Sequence, residues 1–250
     1  MKRPRKDLRH VLIKGAMLCA VAMLGRNVHA QPASPATDQS PVTAIDILLE
    51  PDATMLQHAE ANNARLLKAY PKGFALDATH TPHITMLQCF VRTADLDKLY
   101  AAEEKVFAAA NVTAMKLDAF KLYYIPAGGA LGVAGICAKP SPQLLKLQAD
   151  IIVAAKPFMV ETATIGAFTA GHDDPAIDVA MIQYVSTFEQ KAAGEKFNPH
   201  VSTGTAPKDY LDKMVAEPFE SFTFSPAGAA VYQLPFGTAA KKLKEWDLKP

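Results

Sequence analysis

Two hydrophobic periods divide the chain into elements. Residues 44–50 (AIDILLE) and 83–91 (HITMLQCFV) are apolar runs of strand length, the second too short for a typical helix. Between them Asp52 precedes a segment in which Met55, Leu56, Ala59, Leu66, Leu67 and Tyr70 recur at helical spacing, which predicts a helix opened by Asp52. Residues 94–110 repeat the helical period through Leu96, Leu99, Tyr100, Val106 and Phe107, and residues 114–125 (AMKLDAFKLYYI) alternate at their start as a strand does. Ser141-Pro142 sets a capping hydroxyl before a proline at the first helical position, predicting a helix to about Lys156. Further on, Gly171-His172-Asp173-Asp174-Pro175 reads as a loop and helix start, with the helix running to about Ala193.

This order of landmarks occurs twice. LLEPDATML (48–56) matches ICAKPSPQLL (136–145), TPHITM (81–86) matches NPHVST (198–203), and LYYIP (122–126) matches VYQLP (231–235). Pro51, His83 and Pro126 are thus followed by Pro140, His200 and Pro235, which predicts a duplication: two similar lobes of roughly 90–110 residues related by a pseudo-two-fold axis, with an insertion around 157–190 in the second. A chain of 250 residues can bury a core of that extent without a metal or disulfide staple.

Charge changes the picture in one respect. Of 26 basic and 25 acidic residues, seven basic and one acidic lie in residues 1–30, leaving 19 basic against 24 acidic in residues 31–250. A negative body does not wrap long nucleic acid, because that binding depends on counterions displaced by Lys and Arg. The first thirty residues pair the basic stretch with an apolar run GAMLCAVAML (15–24) and end Val28-His29-Ala30, the layout of a cleaved secretory signal and too short for a membrane span. Residues 31–41 (QPASPATDQSP) read as a flexible spacer, so the folded domain is expected over 42–250 in an exported, periplasmic protein that is monomeric and free of the membrane after cleavage. Cys89 and Cys137 sit in apolar strand-like runs and read as two buried thiols rather than a disulfide.

Candidate chemistry rests on the two Pro-His-aliphatic-hydroxyl sequences. On a strand, residues i and i+2 share a face about 6.5–7 Å apart, so His83 projects with Thr85 and His200 with Ser202, while Ile84 and Val201 point the other way. Facing lobes bring two imidazoles and two hydroxyls into one cleft. One neutral imidazole can take a proton from the attacking oxygen and the other, protonated, can give one to the leaving oxygen, with the hydroxyls on the non-bridging oxygens of a phosphodiester. No metal or other cofactor is called for.

His83-Ile84-Thr85-Met86, His200-Val201-Ser202-Thr203, the repeat and the closing LPFGTAAKKLKEWDL together resemble the 2H phosphoesterase superfamily, nearest the 2'-5' RNA ligase/cyclic phosphodiesterase family, over residues 42–248. The resemblance implies a bilobal α+β fold, each lobe a mainly antiparallel sheet with outer helices around a central cleft. It also implies metal-independent hydrolysis of a 2',3'-cyclic phosphate, or 2',5' joining, with His83 and His200 as acid and base and Thr85 and Ser202 holding phosphate. Ser202 departs from the family's usual Thr, and the export signal favours hydrolysis of a small nucleotide substrate over RNA joining. A periplasmic protein that binds a phosphate ligand without chemistry is the alternative outside catalysis.

Other positions carry weaker signals. The His80/His83 spacing places those residues on opposite faces if both lie on a strand, which disfavours a zinc pair. His58 reads as solvated, His172 as a loop residue, and Arg92 and Lys121 as surface charge that can also reinforce phosphate binding. Tyr123 matches Tyr232 in the repeat and Tyr124 matches Gln233; one pair can flank a base or sugar, although strand aromatics are more often core.

Overall fold

A computed structural model of the chain describes residues 41–169, 175–235 and 241–248. Residues 1–30, expected to be a signal, nearly all of the expected spacer at 31–41, and the Gly171-His172-Asp173-Asp174 stretch lie outside the described residues. In chain order the elements are β1 (Val42–Pro51), α1 (Ala53–Ala69), β2 (Ile84–Arg92), α2 (Leu96–Ala110), β3 (Leu117–Pro126), β4 (Leu131–Ala138), α3 (Pro142–Ala155), β5 (Met159–Val160), α4 (Pro175–Ser186), α5 (Phe188–Ala192), β6 (His200–Pro207), α6 (Lys208–Val215), β7 (Phe222–Phe224), β8 (Pro226–Gln233) and β9 (Lys241–Trp246). The α+β class is as expected.

Local chemistry sets the helix starts. Asp52 Oδ1 accepts from the Met55 amide at 3.2 Å, and its Oδ2 accepts from the Ser225 amide at 2.7 Å, so one side chain caps α1 and ties it to the strand entering β8. Ser141 Oγ accepts from the Leu144 amide at 3.2 Å, with Pro142 at the first position of α3.

The strands form one antiparallel sheet in the order β7-β3-β4-β6-β2-β1-β8-β9, with β5 added to β2. Its two halves meet where β2 and β6 pair through Ile84 and Val201 alone. The order is symmetric about that joint: β6 answers β2, β4 answers β1, β3 answers β8 and β7 answers β9. The lobes are interleaved rather than contiguous, because β3 closes the half-sheet built on β4 while β8, from the chain's far end, closes the one built on β1. Helices cross the joint too: α1, which follows β1, packs on β6, and α3, which follows β4, packs against α2 and β2.

One face of the sheet carries most of the helices and the main core, while α4 lies against the other. Ile45, Ile47 and Leu49 of β1 and Ile84, Met86 and Val201 pack there with Met55, Leu99, Phe107, Leu144 and Ile151. The alternate residues of β1 are buried as well, Ala44 beneath Phe168 and Val185 and Leu48 against Ala230 and Tyr232, which is why 44–50 reads as a continuous apolar run. Asp46 interrupts that run and is fully buried. No helix among the described residues is long and apolar enough to cross a membrane.

Candidate functional site

Antiparallel pairing at Ile84–Val201 fixes what surrounds it. Continuing that register sets His83 opposite Ser202 and His200 opposite Thr85, all four on the face away from the buried Ile84 and Val201. The two histidines are then diagonal neighbours, a relation that in a regular pair spans about 7–8 Å. His200 feels the charge of His83 across the cleft.

Both imidazoles are held in the same way. His83 Nδ1 lies 2.6 Å from the Thr81 carbonyl oxygen and His200 Nδ1 lies 2.7 Å from that of Asn198. A carbonyl only accepts, so each Nδ1 carries a proton and each Nε2 is left for chemistry. The accepting residue is in both cases the one before a proline, Pro82 or Pro199, and a residue in that position is biased to extended backbone. The Thr/Asn-Pro-His spacing therefore encodes the orientation of the ring as well as its place.

Beyond the histidines the two half-sites differ. On β2, His83 has a side chain 14% exposed, with Nε2 3.7 Å from Asp46 Oδ2. That oxygen also accepts from Thr85 Oγ1 and from Gln88 Nε2, each at 2.8 Å, while Asp46 Oδ1 is buried without a hydrogen-bond partner. Burial raises the Asp46 carboxyl above the ordinary range, and His83, Gln88 and Thr85 pull it back down. On β6, desolvation lowers His200 below the usual histidine range, opposed by its bond to Asn198 and assisted by the charge of His83. The Tyr123 ring packs on His200 with centroids 4.8 Å apart and planes at 62°.

Glycine 135 makes room for that ring. A Cβ there would lie 2.7 Å from Tyr123 Cε1 and 2.8 Å from the Val201 carbonyl oxygen, so only glycine lets β3, β4 and β6 bring the phenol over the cleft. Ser202 Oγ has no hydrogen-bond partner among the described residues. Thr85, whose hydroxyl the sequence suggests for phosphate, has its proton committed to Asp46 instead.

The chain is similar to solved structures of TT0787 of Thermus thermophilus and of Usb1 of Kluyveromyces marxianus. For TT0787 the TM-score is 0.47 at 13% identity, and for Usb1, alone and with uridine monophosphate, it is 0.40 at 9%; each match covers 82% of this chain and 98% of the other. No family model and no curated protein matches. The chemistry is therefore drawn from the side chains of the cleft.

Asp46 and Gln88 are not legible as site residues in the sequence, and the reason is a bulge. Leu48 pairs with Thr85 but Ile47 pairs with Leu87, so Met86 is an extra residue that rephases β2 and turns Gln88 to the same side as Thr85. The other half has its counterpart: Gly135 pairs with Ser202 but Ala134 with Gly204, leaving Thr203 as the extra residue. Each bulge falls three residues after a histidine. Thr203 itself points away, buried on the α1 side, where it accepts from Asn62 Nδ2 at 2.7 Å.

The remaining candidates sort by face. Tyr123 and Tyr232 are on the cleft side; Tyr232 stands opposite Asp46, with Lys242 over its ring. Tyr124 and Gln233 turn outward, to Asp212 and to the Ala167 carbonyl. Lys121 is exposed in the register row of Cys137 and His200, whereas Arg92 is at the far end of β2 beside Asp95. His80 does not lie on a strand: it sits in a turn organised by Asp77 and stacks on Phe74, with centroids 4.8 Å apart, so strand parity does not govern it. His58 is exposed and stacks on Phe222. Cys89 and Cys137 are free, buried thiols; burial pushes that of Cys137 up to about 11, against the opposing charge of Lys121.

Proposed function

We propose that this chain is an exported phosphoesterase of the 2H type that hydrolyses a 2',3'-cyclic phosphate or a similarly small phosphodiester without a metal. The matched histidines carry the reading: two strands of one cleft each present an imidazole with Nδ1 tied to a pre-proline carbonyl and Nε2 open, beside a hydroxyl residue. In this reading one Nε2 accepts a proton from water as its oxygen bonds to phosphorus, and the other gives a proton to the ribose oxygen as the P–O bond breaks. Ser202 donates to a non-bridging oxygen, and Thr85 does so by exchanging Asp46 for phosphate. Export is supported by the basic-apolar-polar layout of residues 1–30.

The test is turnover of a panel of 2',3'-cyclic mononucleotides with and without chelator. Since each proton transfer is worth about 10²–10⁴-fold, His83→Ala and His200→Ala should each lower kcat by at least about 10²-fold while circular dichroism is unchanged. Either variant retaining wild-type turnover, or loss of wild-type activity in chelator, overturns the reading.

A further inference from the structure

Asp46 is a buried acid that the two-histidine scheme does not use. It lies beneath the cleft on β1, fully excluded from water, with one oxygen satisfied by Thr85 and Gln88 and the other orphaned. A buried carboxylate in that condition needs a cation or a proton. His83 Nε2, at 3.7 Å, supplies either: an imidazolium beside an ionised Asp46, or a neutral ring beside a protonated one. Both arrangements hold one proton between the two groups, as a coupled pair.

The second half-site has no such partner. Asp46 stands opposite Gln88, five residues beyond His83, and the position five residues beyond His200 is Thr205, opposite Val133. Around His200 the contacts are the Tyr123 ring and the Asn198 carbonyl, and burial works against the charged imidazole. Other titratable groups near the Asp46–His83 pair are Tyr232 on β8, Glu50 on β1 held by Lys242 of β9, Tyr184 on α4, Cys89 on β2 and His200 itself. Among these described neighbours no other carboxylate is within ion-pair distance of either cleft histidine.

We infer that Asp46 is a positioning residue that keeps the cleft's proton on the His83 side, making His83 the donor to the leaving oxygen and His200 the acceptor from water. The inference rests on the phosphoesterase reading above. The proton on His83 Nε2 passes to the ribose oxygen as its bond to phosphorus breaks, while the water proton passes to His200 Nε2 as the new P–O bond forms. The next turnover restores the starting state when His200 releases its proton and the pair regains one from solvent.

Asp46→Asn keeps the shape and removes the charge. In this variant kcat for a 2',3'-cyclic nucleotide should fall about 10–100-fold, the size of loss seen when the carboxylate partner of a metal-bound histidine is removed. Turnover of a p-nitrophenyl phosphodiester, whose leaving group needs no proton, should stay within about threefold of wild type. Equal losses on both substrates would make Asp46 a structural residue and overturn the inference. Imidazole ¹⁵N spectra of the wild-type protein provide a reading that needs neither turnover nor the variant: as pH rises, His200 should lose its proton before His83, and the reverse order overturns the assignment. If the wild type turns over no phosphodiester, the phosphoesterase reading falls, and the order of the two titrations still decides whether Asp46 biases the proton.

Discussion

The two halves of the cleft are built on one plan and finished differently. Each has a proline-preceded histidine oriented by a carbonyl, a hydroxyl two residues on, and a bulge at the third residue. Around His83 the space is filled with polar groups, Asp46, Gln88 and Thr85; around His200 it is filled by an aromatic ring seated on a glycine. The repeated plan supplies the matched geometry that the proposed pair of proton transfers requires. Divergence then gives each imidazole its own electrostatic surroundings, so that a symmetric frame can hold an asymmetric distribution of charge.

A second acid shows that burial alone does not make Asp46 special. Glu103 on α2 is also fully buried, with both carboxylate oxygens unpartnered, and burial pushes it up to about 8 from an ordinary value of 4.5. It lies on the helix side of β2, whereas Asp46 lies on the cleft side, and the Cys89 thiol between them is raised first of all by its own burial. The folded protein therefore keeps a proton on Glu103 that the unfolded chain gives up above about pH 4.5, so this contribution to stability is full below that pH and is lost as pH rises through about 8. Glu103→Gln should remove the dependence and stabilise the protein at pH 8 by on the order of 3–5 kcal/mol, measured by denaturant unfolding at pH 4 and pH 8, with cyclic-nucleotide turnover retained. An equal effect at both pH values would show that Glu103 is charged in the fold, and would remove the contrast with Asp46.

The aromatic side of the comparison breaks at Gly135. Gly135→Ala places a methyl against the Tyr123 ring and the Val201 carbonyl, and the carbonyl belongs to the residue that joins the half-sheets. The expected cost is about 1–3 kcal/mol of stability from overpacking, with turnover falling as Tyr123 leaves His200. A variant as stable and active as wild type would mean that the ring has other room and that its seat on glycine does not shape the second half-site.

How much of this the sequence carries depends on which interactions are local. Caps at Asp52 and Ser141 and the facing of His83 with Thr85 are set within a few residues, and periodicity is enough to read them. The doubled landmarks give the two-lobed plan but not its weave, because nothing near LYYIP or VYQLP says which half-sheet each strand joins. They also run two residues out of step with the register: aligned on Pro51 and Pro140, Asp46 matches Gly135, whereas aligned through the histidine strands it matches Val133. A slip of two preserves which face a side chain occupies, so a sheet tolerates it where a slip of one would turn the core outward. In the sequence Asp46 is one polar residue inside a strand run and carries no signal of its own, and Gln88 has the wrong parity until the bulge at Met86 turns it.

The smallest difference between the half-sites is a single methyl, Thr85 against Ser202. Thr85 is held by Asp46, so its rotamer is set by a hydrogen bond as well as by β-branching; Ser202 has neither constraint among the described residues. Ser202→Thr makes the second hydroxyl resemble the first without giving it a carboxylate to bond. Fixing one rotamer saves about 0.5–1 kcal/mol of ordering on binding, so KM for a cyclic nucleotide should fall roughly two- to fivefold with kcat nearly constant. A loss in kcat/KM beyond about tenfold would mean that the serine is kept because the space between Tyr123 and His200 has no room for the methyl, and the shape of that pocket, rather than the freedom of its hydroxyl, would then be what distinguishes the second half-site from the first.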